Sequence, residues 1–367
     1  MTGTGQLPGP RPIGQRRIGR RLLLAATAAA LAPAWTTPTR ALAEAPDPEW
    51  RAFRARFLRP EGRIVDTGNN GVSHSEGQGW GLLFAVTAGD REAFDRILGW
   101  TERMLGRRDD RLHAWRYQPD AKVTVSDGNN ATDGDLFIAA SLGRAARRWG
   151  ASAYADAGAA IARDVLRLLV RQTGGRTLLL PGANGFETAG AVVINPSYHA
   201  FPVLVELAAL APSRQWEEIS TGGAALIEAG RFGRWGLPPD WLLVPRDRSA
   251  ALKPAPGWPA RFSYDAIRVP LYAKWAGAPV PDMLGAFARY WAAFPAGSAP
   301  AWVDLGTGAT APFAAGPGME AVARLATSPG HRAEDPGLLP SIASAPDYYS
   351  SALILLSRIA WRESGSA

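Results

Sequence analysis

The chain has 367 residues, 47% hydrophobic and 20% charged, which suits one large globular domain or two ordinary ones and excludes a disordered chain. It has no cysteine and four histidines, His74, His113, His199 and His331. No disulfide or thiolate metal site can therefore form, and a histidine-rich metal centre finds too few ligands.

The formal charge of +7 points at first to an anionic partner. Arg11, Arg16, Arg17, Arg20, Arg21 and Arg40 all lie in residues 1–43, which hold no acidic residue. Without them the charge falls to about +1, so nucleic-acid binding loses its support. Residues 1–43 read instead as an export signal peptide: a basic start, the apolar run Leu22 to Ala34, and a small-residue site at Ala41-Leu42-Ala43. The run is too short to anchor stably in a bilayer. The mature chain, 44–367, is expected in the periplasm or the medium, without stable membrane insertion. The doubled arginines leave twin-arginine export and general secretion both open.

From Glu44 onward helical periodicity dominates. Trp50, Phe53 and Phe57 mark a first amphipathic helix. Helix pairs follow at 75–89 with 91–105, broken at Gly89-Asp90, and at 132–149 with 151–172, broken at Gly150. Further pairs are 197–211 with 213–230 and 263–276 with 281–294, and the tail adds 319–327 and 345–361. Two short strands are predicted, Val123–Val125 and Thr177–Leu180. The first helix of most pairs is apolar or small on nearly every side, as in Ser75–Ala88, while the second carries a charged face. That alternation suits an inner ring of fully buried helices and an outer ring with one wet face. The fold expected is all-α, a single domain, with an (α/α)6 barrel the best arrangement. An irregular solenoid lacks the fixed-length repeat it would need.

Three acidic groups stand at three predicted helix starts. Glu76 lies in His74-Ser75-Glu76-Gly77-Gln78-Gly79-Trp80, where Ser73 or Ser75 can cap the helix. Glycines at 77, 79 and 81 are poor helix formers and indicate close approach of a backbone or a ligand. Asp133 and Asp135 lie in Asn129-Asn130-Ala131-Thr132-Asp133-Gly134-Asp135, where Thr132 or Asp133 can serve as the cap. The spacing resembles a calcium loop, but no downstream glutamate completes it. Asp265, in Phe262-Ser263-Tyr264-Asp265-Ala266-Ile267-Arg268, is three residues from Arg268 and can pair with it. Each carboxylate taken singly reads as plain helix-end chemistry. Together, in a barrel whose inner helices start at one end, they can converge. Converged carboxylates suit glycosidic cleavage, in which one protonated acid donates to the leaving oxygen and one carboxylate activates water or attacks carbon. Burial and like charge would keep the acid protonated. The fourteen tryptophans support a sugar ligand, with Trp115 and Tyr198 as stacking platforms and Asn130 among the polar contacts.

The stretch Ala131 to Trp149 resembles the signature of glycoside hydrolase family 8, the bacterial endoglucanases. Ser73–Gly79, Asn195–Tyr198 and Ser263–Arg268 resemble its other blocks in family order. The resemblance implies an (α/α)6 barrel, inverting hydrolysis of β-1,4-glucan and no cofactor or metal. It implies Glu76 as general acid, Asp265 as base and Asp133 as the carboxylate on the distorted sugar. Tyr264 and Arg268 would hold the base and the water, Tyr198 would line the cleft, and Trp115 would stack. Position 80 is Trp where the family has Tyr. The cellulases that accompany bacterial cellulose synthase machinery are the nearest subgroup, implying association with that machinery. A xylanase, chitosanase or mixed-linkage glucanase on the same barrel, a polysaccharide lyase, and a non-catalytic glucan-binding export subunit are the competing readings.

Overall fold

The computed structural model describes residues 47–277, 281–328 and 336–364. The expected signal peptide and its cleavage site lie outside the described residues.

The chain opens with α1 (Pro48–Phe57), capped by the Asp47 carboxylate, which accepts the Glu49 N–H at 2.8 Å. A short strand β1 (Ser73–His74) leads into α2 (Ser75–Ala88) and α3 (Arg91–Leu105). After β2 (Arg116–Tyr117) come α4 (Thr132–Trp149), α5 (Ser152–Leu169), β3 (Val170–Thr173), β4 (Arg176–Leu179) and β5 (Ala191–Ile194). Next are α6 (Phe201–Leu210), α7 (Gln215–Ala229), β6 (Leu242–Pro245), β7 (Lys253–Pro254) and β8 (Arg261–Phe262). The chain continues through α8 (Arg268–Ala276), α9 (Pro281–Ala292), β9 (Val303–Asp304), α10 (Pro317–Thr327) and α11 (Tyr348–Ser364). Eleven α-helices therefore stand among the described residues, each matching a predicted one.

Burial separates them into two kinds. In α4 every residue from Thr132 to Gly143 is buried, and in α2 every residue from Gly77 to Val86. Such helices need neighbours on all sides. The helix α3 buries only Ala93, Phe94, Ile97, Trp100, Thr101 and Leu105, a single face, and α5 likewise buries one stripe ending at Leu169. The helices α2 and α4 and three others touch in sequence: α2 on α4, α4 on α6, α6 on α8, α8 on α11 and α11 on α2, although α6 buries only Phe201, Val203, Leu204 and Leu207. The one-faced helices cover them, α3 on α2 and α5 on α4. The rings of α1 bridge α2 and α11, Phe53 meeting Phe84 edge-on at 5.1 Å and Phe57 meeting Tyr348 at 5.9 Å. No described helix is long and apolar enough to cross a membrane.

Three expectations need correction. Residues 170–172 are not helical: α5 ends at Leu169, and β3 and β4 form an antiparallel hairpin pairing Thr173 with Arg176. Its two-residue turn is Gly174-Gly175, with φ of +54° and +67°, values that glycine adopts without steric cost. Val123–Val125 is not a strand. The Gln118 N–H donates to the Thr124 carbonyl at 2.8 Å, folding the segment into an exposed turn. The helix expected from 263 starts at Arg268, with Ser263–Ile267 forming a turn before it. Pro270 then falls in the first helical turn, where no N–H is needed.

Candidate active site

Strand β1 pairs with β2, Ser73 opposite Tyr117 and His74 opposite Arg116, and this pairing fixes where α2 begins. Neither serine caps the helix: His74 occupies the cap position, while the Ser73 hydroxyl donates to the Ile64 carbonyl at 2.5 Å. Glu76 is the second helical residue and keeps 21% of its side chain exposed. The glycines beside it are explained by neighbouring chain rather than ligand. A Cβ at Gly79 would sit 2.8 Å from Phe137 Cβ and 3.0 Å from the Gly134 carbonyl oxygen, and one at Gly77 would sit 2.6 Å from the Tyr348 hydroxyl. Small residues let α2 lie directly against α4, so the starts of the two helices are held side by side.

At the start of α4 the two aspartates part company, because residues two apart on a helix project to opposite sides. Asp135 is buried and accepts from the His113 backbone N–H and the Asn130 amide, both at 2.9 Å, with His113 Nδ1 also at 2.9 Å. It braces the preceding loop. Asp133 points toward Glu76. Ala131 takes the cap position and the Thr132 hydroxyl donates to the Leu180 carbonyl at 2.6 Å, so neither expected cap forms.

Asp265 lies in the turn before α8. The carboxylate of Asp240, which stands just before β6, accepts the N–H groups of Ser263 at 3.0 Å, Asp265 at 3.2 Å and Ala266 at 2.8 Å, and the Ser263 hydroxyl. The Asp240 N–H donates in return to the Arg261 carbonyl at 2.8 Å.

The three carboxylates meet on Arg268. Its Nη1 donates to Glu76 Oε2 and, at 3.2 Å, to Asp133 Oδ2, and its Nη2 donates to Asp265 Oδ1 at 2.6 Å. The local Asp265–Arg268 pair is the one the sequence spacing predicts, and the other two contacts cross the fold. Rings flank the guanidinium, Trp80 at 5.6 Å and Tyr198 at 5.8 Å. Burial alone would favour a neutral Arg268, but the charges of Glu76 and Asp265 outweigh it and keep the guanidinium firmly protonated. Three carboxylates outnumber the one cation in a largely buried site, where the side chains of Asp133 and Arg268 are each only 3% exposed. Burial, with the Glu76 charge next to it, pushes the Asp133 carboxyl well above the usual carboxylate range. Burial also raises Asp265, opposed by Arg268 and by the Asn195 side chain. Of these two aspartates the stronger upward push falls on Asp133. Among the described residues no group of three or more His, Asp and Glu is arranged to hold a metal ion.

The remaining predicted residues fall at differing distances from this centre. Tyr198 is buried beside Arg268, and burial followed by the Asp133 and Asp265 charges keeps its hydroxyl protonated as a donor. Trp115 is half-buried, stacks on His74 at 6.2 Å and donates through Nε1 to Asp127 at 2.8 Å. Tyr264 is 47% exposed and meets Tyr349 edge-on at 6.0 Å, and its carbonyl accepts from the Tyr349 hydroxyl. Asn130 is buried with both ends of its amide engaged, accepting from the Ala183 N–H at 2.8 Å and donating to Asp135. It supports the loop instead of presenting its amide to a ligand.

The structure adds residues that sequence reasoning missed. Asp240 and Tyr349 carry no local motif, since each acts on a turn that is distant in sequence. Trp241, adjacent to Asp240, stacks between Phe186 at 5.8 Å and Trp258 at 4.9 Å and meets Tyr198 at 6.3 Å. An aromatic column thus runs from Tyr198 out to Trp258, which is 37% exposed.

Residues 18–363 match the family described as glycosyl hydrolases family 8. The chain is 47% identical over 315 residues to a probable endoglucanase of Novacetimonas hansenii, covering 86% of this chain and 90% of that one. It is 38% identical to an endoglucanase of Cellulomonas uda, over 74% of this chain and 75% of its relative. The structure of the endo-beta-1,4-glucanase CMCax from Acetobacter xylinum superposes with a TM-score of 0.82 at 47% identity, covering 86% of this chain and 97% of that one. With the family match spanning nearly its whole length, the chain belongs to glycosyl hydrolase family 8.

Proposed function

We propose that the protein is an exported endo-β-1,4-glucanase that cleaves internal bonds of cellulose-type chains with inversion. The observation that carries this reading is the meeting of Glu76, Asp133 and Asp265 on the single buried cation Arg268. The relatives named as endoglucanases support the choice of substrate over xylan or chitosan. An (α/α)6 barrel is the arrangement that best accommodates the succession of contacts among α2, α4, α6, α8 and α11. The irregular stretch 293–316 would then stand where a twelfth helix is missing.

In this reading Glu76, more exposed than Asp133, acts as the general acid and delivers a proton to the glycosidic oxygen as the bond to the anomeric carbon breaks. Asp265 takes a proton from a water that attacks the same carbon from the opposite face. Asp133 stays beside the ring that carries the developing positive charge, and Arg268 keeps the three carboxylates at fixed places. Action in the periplasm or medium, beside cellulose synthase machinery, is part of the proposal and is tested by cell fractionation and by co-purification with the synthase.

The enzymatic test is reducing-sugar release from carboxymethylcellulose. Glu76→Gln and Asp265→Asn should each lower kcat by at least a thousandfold with an unchanged melting temperature. NMR of the first product should show the α-anomer. Either variant turning over at near the wild-type rate would remove its residue from the mechanism, and a β-anomeric first product would remove inversion.

A further inference from the structure

We propose that Asp240 is a positioning residue for the catalytic base, holding Asp265 in place through the backbone of the Ser263–Ala266 turn. The inference rests on the reading of Asp265 as the base. Helices fix their side chains through backbone hydrogen bonds four residues apart, and Glu76 and Asp133 benefit from this. Asp265 does not, because α8 begins three residues later. Within the turn, Ile267 and Arg268 donate backward to Ser263 and Asp265 at 3.0 and 3.1 Å, but the N–H groups of Ser263, Asp265 and Ala266 have no such partner. One carboxylate takes all three, with the Ser263 hydroxyl on its second oxygen. Asp240 thereby does for this turn what an N-cap does for a helix, from a position 23–26 residues upstream. Charge-assisted bonds of this kind are stronger than neutral ones and more selective in direction. The base is anchored twice, its backbone by Asp240 and its carboxylate by Arg268.

The arrangement has an electrostatic consequence. Asp240 is buried, and burial together with the Asp265 charge pushes its carboxyl up to about 6. The groups facing the pair are Arg268, Asn195 and Asp133 on the Asp265 side and the Ser263 hydroxyl on the Asp240 side. Each of the two charges opposes the other, so as pH falls the pair takes up its first proton at a higher pH than a lone carboxylate in the same place would.

Two variants test the proposal on carboxymethylcellulose, with kcat normalised to folded protein. Asp240→Ala removes the acceptor and should lower kcat at least tenfold with KM within twofold. Asp240→Asn keeps one oxygen for the three N–H groups while removing the charge. It should retain kcat within threefold and move the acidic limb of the pH–kcat profile to lower pH by at least half a unit. A merely structural role moves the melting temperature and leaves the limb of the folded enzyme where it was. Wild-type kcat in Asp240→Ala, or an unmoved limb in Asp240→Asn, overturns the proposal. If Asp240→Ala does not fold, the limb in Asp240→Asn decides alone. Asp265→Asn assayed alongside separates the two ideas: activity there removes the base assignment itself, whereas its loss combined with wild-type Asp240 variants removes only the positioning role.

Discussion

Gly134→Ala sets two magnitudes against each other at the contact that places the catalytic groups. Gly134 is the third residue of α4, and its backbone is ordinary right-handed helix, so alanine should stabilise by about 1 kcal/mol through propensity alone. Space gives the opposite answer. An added methyl would lie 2.3 Å from Ser75 Oγ and 2.7 Å from both Glu76 N and Ser75 C. The serine hydroxyl can rotate away, but the two backbone atoms belong to the start of α2 and cannot. Reaching ordinary contact at 3.4 Å requires α2 and α4 to separate there by about 0.7 Å. Overpacking of this kind costs roughly 1–3 kcal/mol, which matches or exceeds the propensity gain. The expected change in stability is therefore a net loss of about 0–2 kcal/mol, measured by denaturant unfolding. Activity should suffer more, because the displaced segment carries Glu76 while its neighbour carries Asp133. A misplacement approaching 1 Å is worth on the order of 100-fold in rate. The assay is kcat on carboxymethylcellulose, with 30-fold or more expected to be lost in folded protein. A variant with kcat within twofold of wild type and an unchanged midpoint would show that the α2–α4 approach does not set the geometry.

Arg268→Met should abolish activity and destabilise by about 3–5 kcal/mol at pH 7, because three carboxylates would share a site without their cation. Its stability should recover as pH falls and the carboxylates take up protons, and chemical denaturation at pH 7 and pH 5 checks the direction. His199 is buried against α7, where a Cβ at Gly223 would lie 2.0 Å from the ring, and burial lowers its pKa from 6.5 to about 4. For a base with a depressed folded value, stability is fully present above pH 6.5 and is lost as pH falls toward 4. The shift corresponds to about 3 kcal/mol across that window. In His199→Phe the difference in unfolding free energy between pH 7 and pH 4 should shrink by about that amount, and an unchanged difference would refute the assignment.

Periodicity along the chain was sufficient for the helices, because a helix is set by neighbours within four residues. The all-round apolar character of Ser75–Ala88 and of α4 identified the buried helices, and Gly89 and Gly150 marked where they end. The ion pair of Asp265 with Arg268 was legible for the same reason, being three residues long. The family blocks carried the identity of the three carboxylates. Failures came where a distant partner outweighs local preference: Ser73 turns to Ile64 instead of capping α2, and Val170–Thr173 leaves its helix to pair across a diglycine turn. That Arg268 also holds Glu76 and Asp133, 192 and 135 residues away, was decided only by the packing of α2, α4 and α8. The same holds for the bracing of the preceding loop by Asp135, and for the capture of the 263–266 turn by Asp240. Sequence determines which groups are available and in what local conformation. Which of them share one buried charge depends on contacts between segments far apart in the chain, and those exist only once the helices have packed.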